Sequence, residues 1–98
     1  MIVRIIKSHR EIVIICDKEL IGKKFDQGEF QLNIKENFFQ GEEKTKQEVI
    51  EIIGRMAQED ATFNIVGNKS INAALETGII NKEGIKTIQD VPFAMVLT

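Results

Sequence analysis

Apolar residues in the first third of the chain alternate with short polar stretches in a way typical of β-strands. Two β-branched runs, at 2–6 and 12–15, flank the polar segment 7–11, and this pattern predicts an N-terminal β-hairpin. Apolar positions 30, 32 and 34 alternate with polar neighbours, which predicts a further strand with one buried face. The segment between them carries turn signals at Gly22 and Gly28, and we expect it to be a connector.

The middle of the chain changes to helical periodicity. Thr45 and Glu48 fit a capping box, and the apolar residues that follow predict an amphipathic helix over 45–58. A short strand is predicted at 63–66. After it we expect a second helix that Asn68 caps and Gly78 ends.

Two more strands are predicted near the C-terminus, at 85–88 and 91–97. Because Pro92 cannot donate to a ladder, it confines the last strand to an edge or to a start at Phe93. The element order predicts a single α+β domain over 1–98, with a mixed or antiparallel sheet and about two helices. A chain of 98 residues has room for one core, and 43% hydrophobic residues with a net charge of −2 do not fit intrinsic disorder.

The composition also bears on where the protein acts. The longest apolar runs, 12–16 and 93–97, are far shorter than the ~20 residues that cross a bilayer. The N-terminus lacks the pattern of a secretory signal, so we expect a cytoplasmic protein. The lone Cys16 has no disulfide partner and no neighbouring metal ligands, and we therefore predict neither a metal nor a cofactor.

The segment 64–70 carries the strongest functional signal. A strand, a glycine turn and a helix start would present free backbone N–H groups, which suit a phosphate or a carboxylate. The segment is not a P-loop, because Phe63 stands where the first glycine is required. The candidate residues for binding an anion or RNA phosphate are Asn64, Gly67, Asn68, Lys69 and Ser70. The alternative is that this segment only turns the chain and caps the helix.

Charge is unevenly distributed along the chain. Residues 1–28 hold six Lys or Arg and four acids, whereas residues 29–60 hold four Lys or Arg and eight acids. The N-terminal hairpin and the pair Lys23 and Lys24 could therefore form a modest basic face for RNA. The alternative is an ordinary solvated surface.

Two further pairs of neighbouring residues are candidates for a functional role. Cys16 and Asp17 end the second strand, and we interpret them as a buried small hydrophobe beside a turn-forming Asp. His9 lies about 23 Å away along an extended strand, so a Cys–His pair is not expected. Phe38 and Phe39 should face opposite ways, one ring in the core and the other exposed, where it could stack on a base or an apolar partner. The alternative is half-burial without a function.

These motifs together resemble the archaeal domain-of-unknown-function family 424. The resemblance is carried by the segment 16–25 with Cys16, Asp17 and Gly22, by Gly28, by Phe38, Phe39 and Gly41, by the segment 64–71, and by Val91 and Pro92. The resemblance implies a small archaeal α+β protein without established biochemistry, whose genes often lie near translation genes. In that family the C-terminal motif usually reads Val-Pro-His-Ala-Gln, whereas this chain has Phe93 and Met95 in place of the His and the Gln, and Phe39 where Tyr is common. Any acid–base or ligand role of that His would be absent here.

Three functional hypotheses remain open. The first is a non-enzymatic binding module for RNA or a translation component, which the lack of an assembled nucleophile–base pair favours. The second is a small enzyme or ligand-binding protein that uses Asp17, Asn64 and Asn68 around a cleft, with the anion-binding turn at 64–70. The third is a homodimer formed through an exposed apolar edge strand at 91–97.

Overall fold

The computed structural model describes residues 1–97, which form eight strands and three α-helices. The strands are β1 (Ile2–Ile6), β2 (Ile12–Cys16), β3 (Lys24–Gln27), β4 (Phe30–Asn33), β5 (Glu42–Glu43), β6 (Thr62–Val66), β7 (Lys86–Ile88) and β8 (Val91–Val96). The helices are α1 (Glu36–Phe39), α2 (Lys46–Gln58) and α3 (Asn68–Thr77). Single 3-10 turns lie at Lys18–Leu20 and Lys82–Gly84. The predicted α+β class is confirmed.

Six strands form one mixed sheet in the order β5-β1-β2-β6-β8-β7, and β3 and β4 form a separate two-stranded sheet. The pair β2 and β6 is parallel, and the other pairs described in 1–97 are antiparallel. Since parallel strands end at the same edge of a sheet, the chain leaves β2 at Asp17 and β6 at Gly67 side by side.

Helices α2 and α3 cover one side of the large sheet, here called the helix side. Alternate residues of the central strands point to this side, and they form the main core with buried residues of both helices. Its members include Val13, Ile15, Phe63, Ile65, Val49, Ile53, Ile71 and Ala74.

The opposite side, here called the hairpin side, is covered by β3, β4 and α1. The remaining residues of the central strands pack there against Ile34 and Phe39. Strand β2 is buried on both sides, which explains why it reads as a continuous apolar run. The hairpin-side cover is partial, because Phe30, Phe38 and Met95 keep 71%, 45% and 62% of their surface exposed.

Several sequence predictions are confirmed in detail. The hairpin pairs β1 with β2. Helix α2 begins at the Thr45 and Glu48 capping box, and α3 ends at Gly78 in the left-handed conformation. The expected connector, in contrast, contains β3, and α1 and β5 were not predicted.

The expectation for Pro92 is wrong, because β8 lies inside the sheet between β6 and β7 and includes Pro92. The carbonyl of Pro92 accepts from the Gly67 N–H at 2.8 Å, and the Gly67 carbonyl accepts instead from Ile71 N at the start of α3. The missing proline N–H therefore leaves no acceptor unpaired. Since 91–96 is not an edge, the homodimer hypothesis loses the feature on which it was based.

None of the helices in residues 1–97 combines the length and apolar character needed to span a lipid bilayer.

Candidate functional site

Asp17 occupies the point where β2 ends and α3 begins. Its side chain is buried, with 3% exposure, and its carboxylate accepts three hydrogen bonds from the first turn of α3. The donors are Lys69 N at 3.0 Å, Ser70 N at 2.8 Å and Ser70 Oγ at 2.7 Å. Asp17 is therefore the cap of α3, and the prediction that Asn68 caps this helix is wrong. The prediction that Asp17 forms a turn is confirmed, because its carbonyl accepts from the Leu20 N–H at 3.1 Å in the 3-10 turn. Asn68 lies exposed as the first residue of the helix.

Gly67 makes this arrangement possible. Its φ is +105°, a region that favours glycine, and a Cβ at this position would overlap the Asp17 carboxyl group. The Asp17 N–H donates to the carbonyl of Val66 at 3.0 Å, which holds the two strand ends together. The glycine turn thus admits a carboxylate of the same chain rather than an external ligand.

The predicted anion-binding turn is consequently filled from inside the molecule. The amide groups of Lys69 and Ser70 already donate to Asp17, so they are not free for an external phosphate. Asn64 lies elsewhere, on the hairpin side, paired with Met95 and Ile14. The structure brings Asp17 to 67–70 and does not bring Asn64 into the same cluster.

The side chain of Lys69 remains available. It lines an open cavity of about 210 Å³ together with Met1, Lys46 and Asn72. Lys46 forms an ion pair with Glu76 at 2.7 Å. Lys69 forms no ion pair with another residue in 1–97, so its charge is free in this cavity.

The thiol of Cys16 is unreactive at neutral pH. Burial raises the pKa of its thiol from the ordinary 9.0 to about 12, and the carboxylates of Asp17 and Glu19 add to the shift. A thiol with this pKa is protonated at neutral pH and is a weak nucleophile. His9 lies in the exposed turn at the other end of β2, as the sequence indicates. Residues 1–97 contain no group of His, Cys, Asp and Glu able to hold a metal ion.

Phe38 and Phe39 lie on α1 rather than on extended chain. Their rings are 5.3 Å apart in an edge-to-face contact, with Phe39 buried and Phe38 partly exposed. One ring is inside and one outside, as predicted, although helical geometry produces the split. Arg4 fixes this helix, since its Nη1 donates to the carbonyls of Asn37 at 2.7 Å and Phe38 at 2.8 Å.

The N-terminal cations are spread over both ends of the β1–β2 hairpin. Lys7 and Arg10 lie in the turn that joins the strands, and Lys18 lies beyond the other end, where it pairs with Glu43 at 3.2 Å. Lys23 precedes β3 and Lys24 opens it, both exposed. The two lysines remain predicted contacts for RNA.

A pocket that the sequence did not indicate lies where β3 and β4 meet β7 and β8. Phe30 and Phe93 line a cavity of about 220 Å³, here called the Phe30–Phe93 pocket, together with Gln27, Lys86, Thr87 and Ile88. The Gln89 N–H donates to Gln27 Oε1 at 3.0 Å, which ties the small sheet to the turn between β7 and β8. No local pattern could have revealed the pocket, because its two aromatic walls lie far apart in the sequence.

A family model for a "Protein of unknown function (DUF424)" matches residues 6–98. The chain belongs to the DUF424 family. The resemblance inferred from the motifs is thereby confirmed.

A similar solved structure has the same fold as this DUF424 chain. It is the crystal structure of an uncharacterized conserved protein from Methanopyrus kandleri, with 18% sequence identity and a TM-score of 0.86, covering 99% of this chain and 92% of the other. A comparison with curated proteins gives no match.

The structure gives physical reasons for several residues of the DUF424 motifs. Asp17 and Gly67, distant in sequence, form one capping unit. Gly22 has a φ of +89°, and Gly41 approaches β1 so closely that a Cβ would overlap the Val3 carbonyl. Phe93 and Met95 both lie on the hairpin side, with Phe93 in the Phe30–Phe93 pocket and Met95 exposed beside Asn64.

Proposed function

We propose that this DUF424 protein is a non-enzymatic module that binds single-stranded RNA, with a base held in the Phe30–Phe93 pocket. The observation that carries the proposal is the exposed Phe30 ring, 71% of whose residue surface is accessible, beside the half-buried Phe93. Aromatic rings in such positions stack on nucleobases and tolerate different bases.

The polar lining of the pocket suits a nucleotide. Lys86 is exposed and forms no ion pair with another residue in 1–97, so its ammonium group is free for a phosphate. Gln27 offers its side-chain Nε2, since its Oε1 already accepts from the Gln89 N–H, and Thr87 offers its hydroxyl for a base edge. The free charge of Lys69 and the pair Lys23 and Lys24 are candidate contacts for the rest of the strand.

The buried cysteine and the internally paired aspartate support a binding role rather than catalysis. Cys16 is protonated at neutral pH, and the Asp17 carboxylate is engaged in holding α3. We propose RNA of the translation machinery, in the cytoplasm, as the partner to test first, because the family resemblance implies proximity to translation genes.

The test is fluorescence anisotropy with a labelled single-stranded RNA at two salt concentrations. Phe30→Ala should weaken binding about tenfold, since base–aromatic stacking contributes roughly 1–3 kcal/mol. Lys86→Ala should reduce the dependence on salt by about one phosphate contact. The matched controls are Leu97→Ala and Lys82→Ala, which alter exposed residues outside the pocket and should leave affinity unchanged.

Unchanged affinity in both pocket variants would reject the Phe30–Phe93 pocket as the RNA site. Co-sedimentation with ribosomal subunits and bulk transfer RNA, with Lys69→Ala beside the wild type, addresses the partner. Saturable pelleting at moderate salt supports a role in translation, and no pelleting under any condition contradicts it.

A further inference from the structure

The outer edge of β1 is only half covered. Strand β5 pairs with Ile2 and Val3, and within residues 1–97 no strand pairs with this edge beyond Val3. Met1 exchanges two backbone hydrogen bonds with Lys44, at 3.3 and 2.7 Å. In an antiparallel strand, the N–H and C=O groups of every second residue point to the same edge. Since those of Met1 point to the outer edge of β1, those of Ile5 point there too. Ile5 therefore offers a donor and an acceptor to one more strand.

A groove runs between this edge and α2. Its first part is a cavity of about 400 Å³ with an apolar lining of Val3, Ile5 and Ile52. A second cavity of about 270 Å³ shares Ile5 and Arg55 with the first and continues along α2. The two cavities together are called the β1 edge groove. Its form, an open strand edge facing a helix, suits an extended peptide.

The first cavity carries an excess of positive charge. Its charged residues are Arg4, Glu42, Lys44 and Arg55. Lys44 pairs with Glu42 at 3.1 Å, and Arg4 donates to carbonyls at the end of α1. The Arg55 guanidinium has no hydrogen bond or ion pair with any residue in 1–97, and it lies where the two cavities meet. The second cavity adds Lys7, Glu11 and Glu59, so Arg55 and Lys7 balance two acids there.

We infer that the β1 edge groove binds an extended acidic peptide segment of a partner protein as an added strand. The peptide backbone pairs with Ile5, and an acidic side chain lies against Arg55. Main-chain hydrogen bonds supply the affinity in this mode, and side-chain contacts supply the selectivity. The site lies on the opposite edge of the sheet from β7 and the Phe30–Phe93 pocket, so it is independent of the proposed RNA site.

The test is an amide chemical-shift titration of isotope-labelled protein with the peptide Val-Asp-Val-Glu-Val. The largest shifts should fall on Ile5 to Lys7, and the Ile5 amide should exchange more slowly with solvent. Arg55→Ala should weaken binding about fivefold, the effect of one partly exposed ion pair. Arg10→Ala, in the exposed turn between β1 and β2, is the matched control and should bind like the wild type.

Three further probes make the test decisive. A peptide with Lys in place of the acids, and one methylated on its central backbone nitrogen, should both bind at least several-fold more weakly. Phe30→Ala should bind the acidic peptide like the wild type, whatever the outcome of the RNA experiment. The inference is overturned if Ile5 to Lys7 do not respond at millimolar peptide, if the Lys peptide binds equally well, or if the same shifts follow protein concentration alone, which would indicate a second copy.

Discussion

The two sides of the six-stranded sheet differ in how completely they are covered. On the helix side, α2 and α3 bury the central residues of β2 and β6, and Phe63 has no exposed surface. On the hairpin side, a two-stranded sheet and a four-residue helix cover only part of the strands. Phe30 and Met95, both large and apolar, stay more than half exposed there.

The difference in cover between the two sides assigns stability to the helix side and recognition to the hairpin side. The helix side has the close packing of a core, where removing atoms leaves a cavity. The hairpin side keeps apolar surface in contact with water, and such surface marks binding sites more often than buried surface does. We therefore expect substitutions on the helix side to change the free energy of unfolding, and matched substitutions on the hairpin side to change binding.

The largest effect is expected from a matched pair of phenylalanines. Phe63→Ala should lower the free energy of unfolding by about 4 kcal/mol, because it leaves a cavity in a fully buried site. Phe30→Ala should cost less than about 1 kcal/mol, since the ring is mostly exposed. Urea unfolding measures both. Equal losses would show that the two sides do not differ in this way.

The next largest effect concerns the junction of β2 and α3. Asp17→Ala should destabilise the protein by about 3 kcal/mol, because it removes a helix cap and leaves the buried N–H of Ser70 and the partly buried N–H of Lys69 without an acceptor. Asp26→Ala is the matched control on the hairpin side, where an exposed carboxylate accepts one bond from Gln31 at 2.9 Å. It should cost less than about 0.5 kcal/mol. A loss below about 1 kcal/mol for Asp17→Ala would contradict the capping role.

The same comparison shows what the sequence reveals and what it does not. Helix α2 was predictable because its capping box and apolar spacing lie within one short segment. The hairpin of β1 and β2 was predictable for the same reason. Strand β3 was missed, because only Phe25 in its four residues is even partly buried, and its pairing with β4 supplies the structure that its own pattern lacks.

The candidate sites were likewise predictable only where their residues lie within one short segment. The sequence located the unusual turn at 64–70, because strand, glycine and helix are consecutive there. It could not show that Asp17 fills that turn, because Asp17 lies 52 residues before Lys69 in the sequence. The Phe30–Phe93 pocket and the β1 edge groove depend on tertiary neighbours as well, so local spacing could not reveal them.

A smaller effect should appear at alkaline pH at Cys16, which is buried on the hairpin side. Its folded-state pKa of about 12 exceeds the ordinary 9.0, so the folded protein holds this proton more tightly than the unfolded chain. The corresponding stability is present below pH 9.0 and is lost as the pH rises from there towards about 12. Unfolding measured at pH 8 and near pH 10 (~1 unit above the unfolded pKa) should show an extra loss of about 1 kcal/mol in the wild type relative to Cys16→Ala. Parallel pH profiles of the two proteins would show that the thiol is not protected.

An effect as small as that of Cys16 is expected at the exposed start of α2, which tests whether helix-side stability lies in the core rather than at the helix ends. Thr45→Ala removes the oxygen that accepts from Glu48 N at 3.2 Å and should cost about 1 kcal/mol. Thr45→Ser keeps that oxygen and should cost clearly less.

Hydrogen bonds from the Thr45 backbone and side chain lower the pKa of Glu48 below its ordinary 4.5, so the contribution of this carboxylate is present above pH 4.5 and is lost as the pH falls through the folded-state value. The stability difference between wild type and Glu48→Gln, followed by urea unfolding from pH 7 to pH 3, should therefore shrink in acid. A difference that stays constant would mean that the capping box does not depend on the ionised carboxylate, and a loss as large as that of Phe63→Ala would place the stability of the helix side at its rim instead of its core.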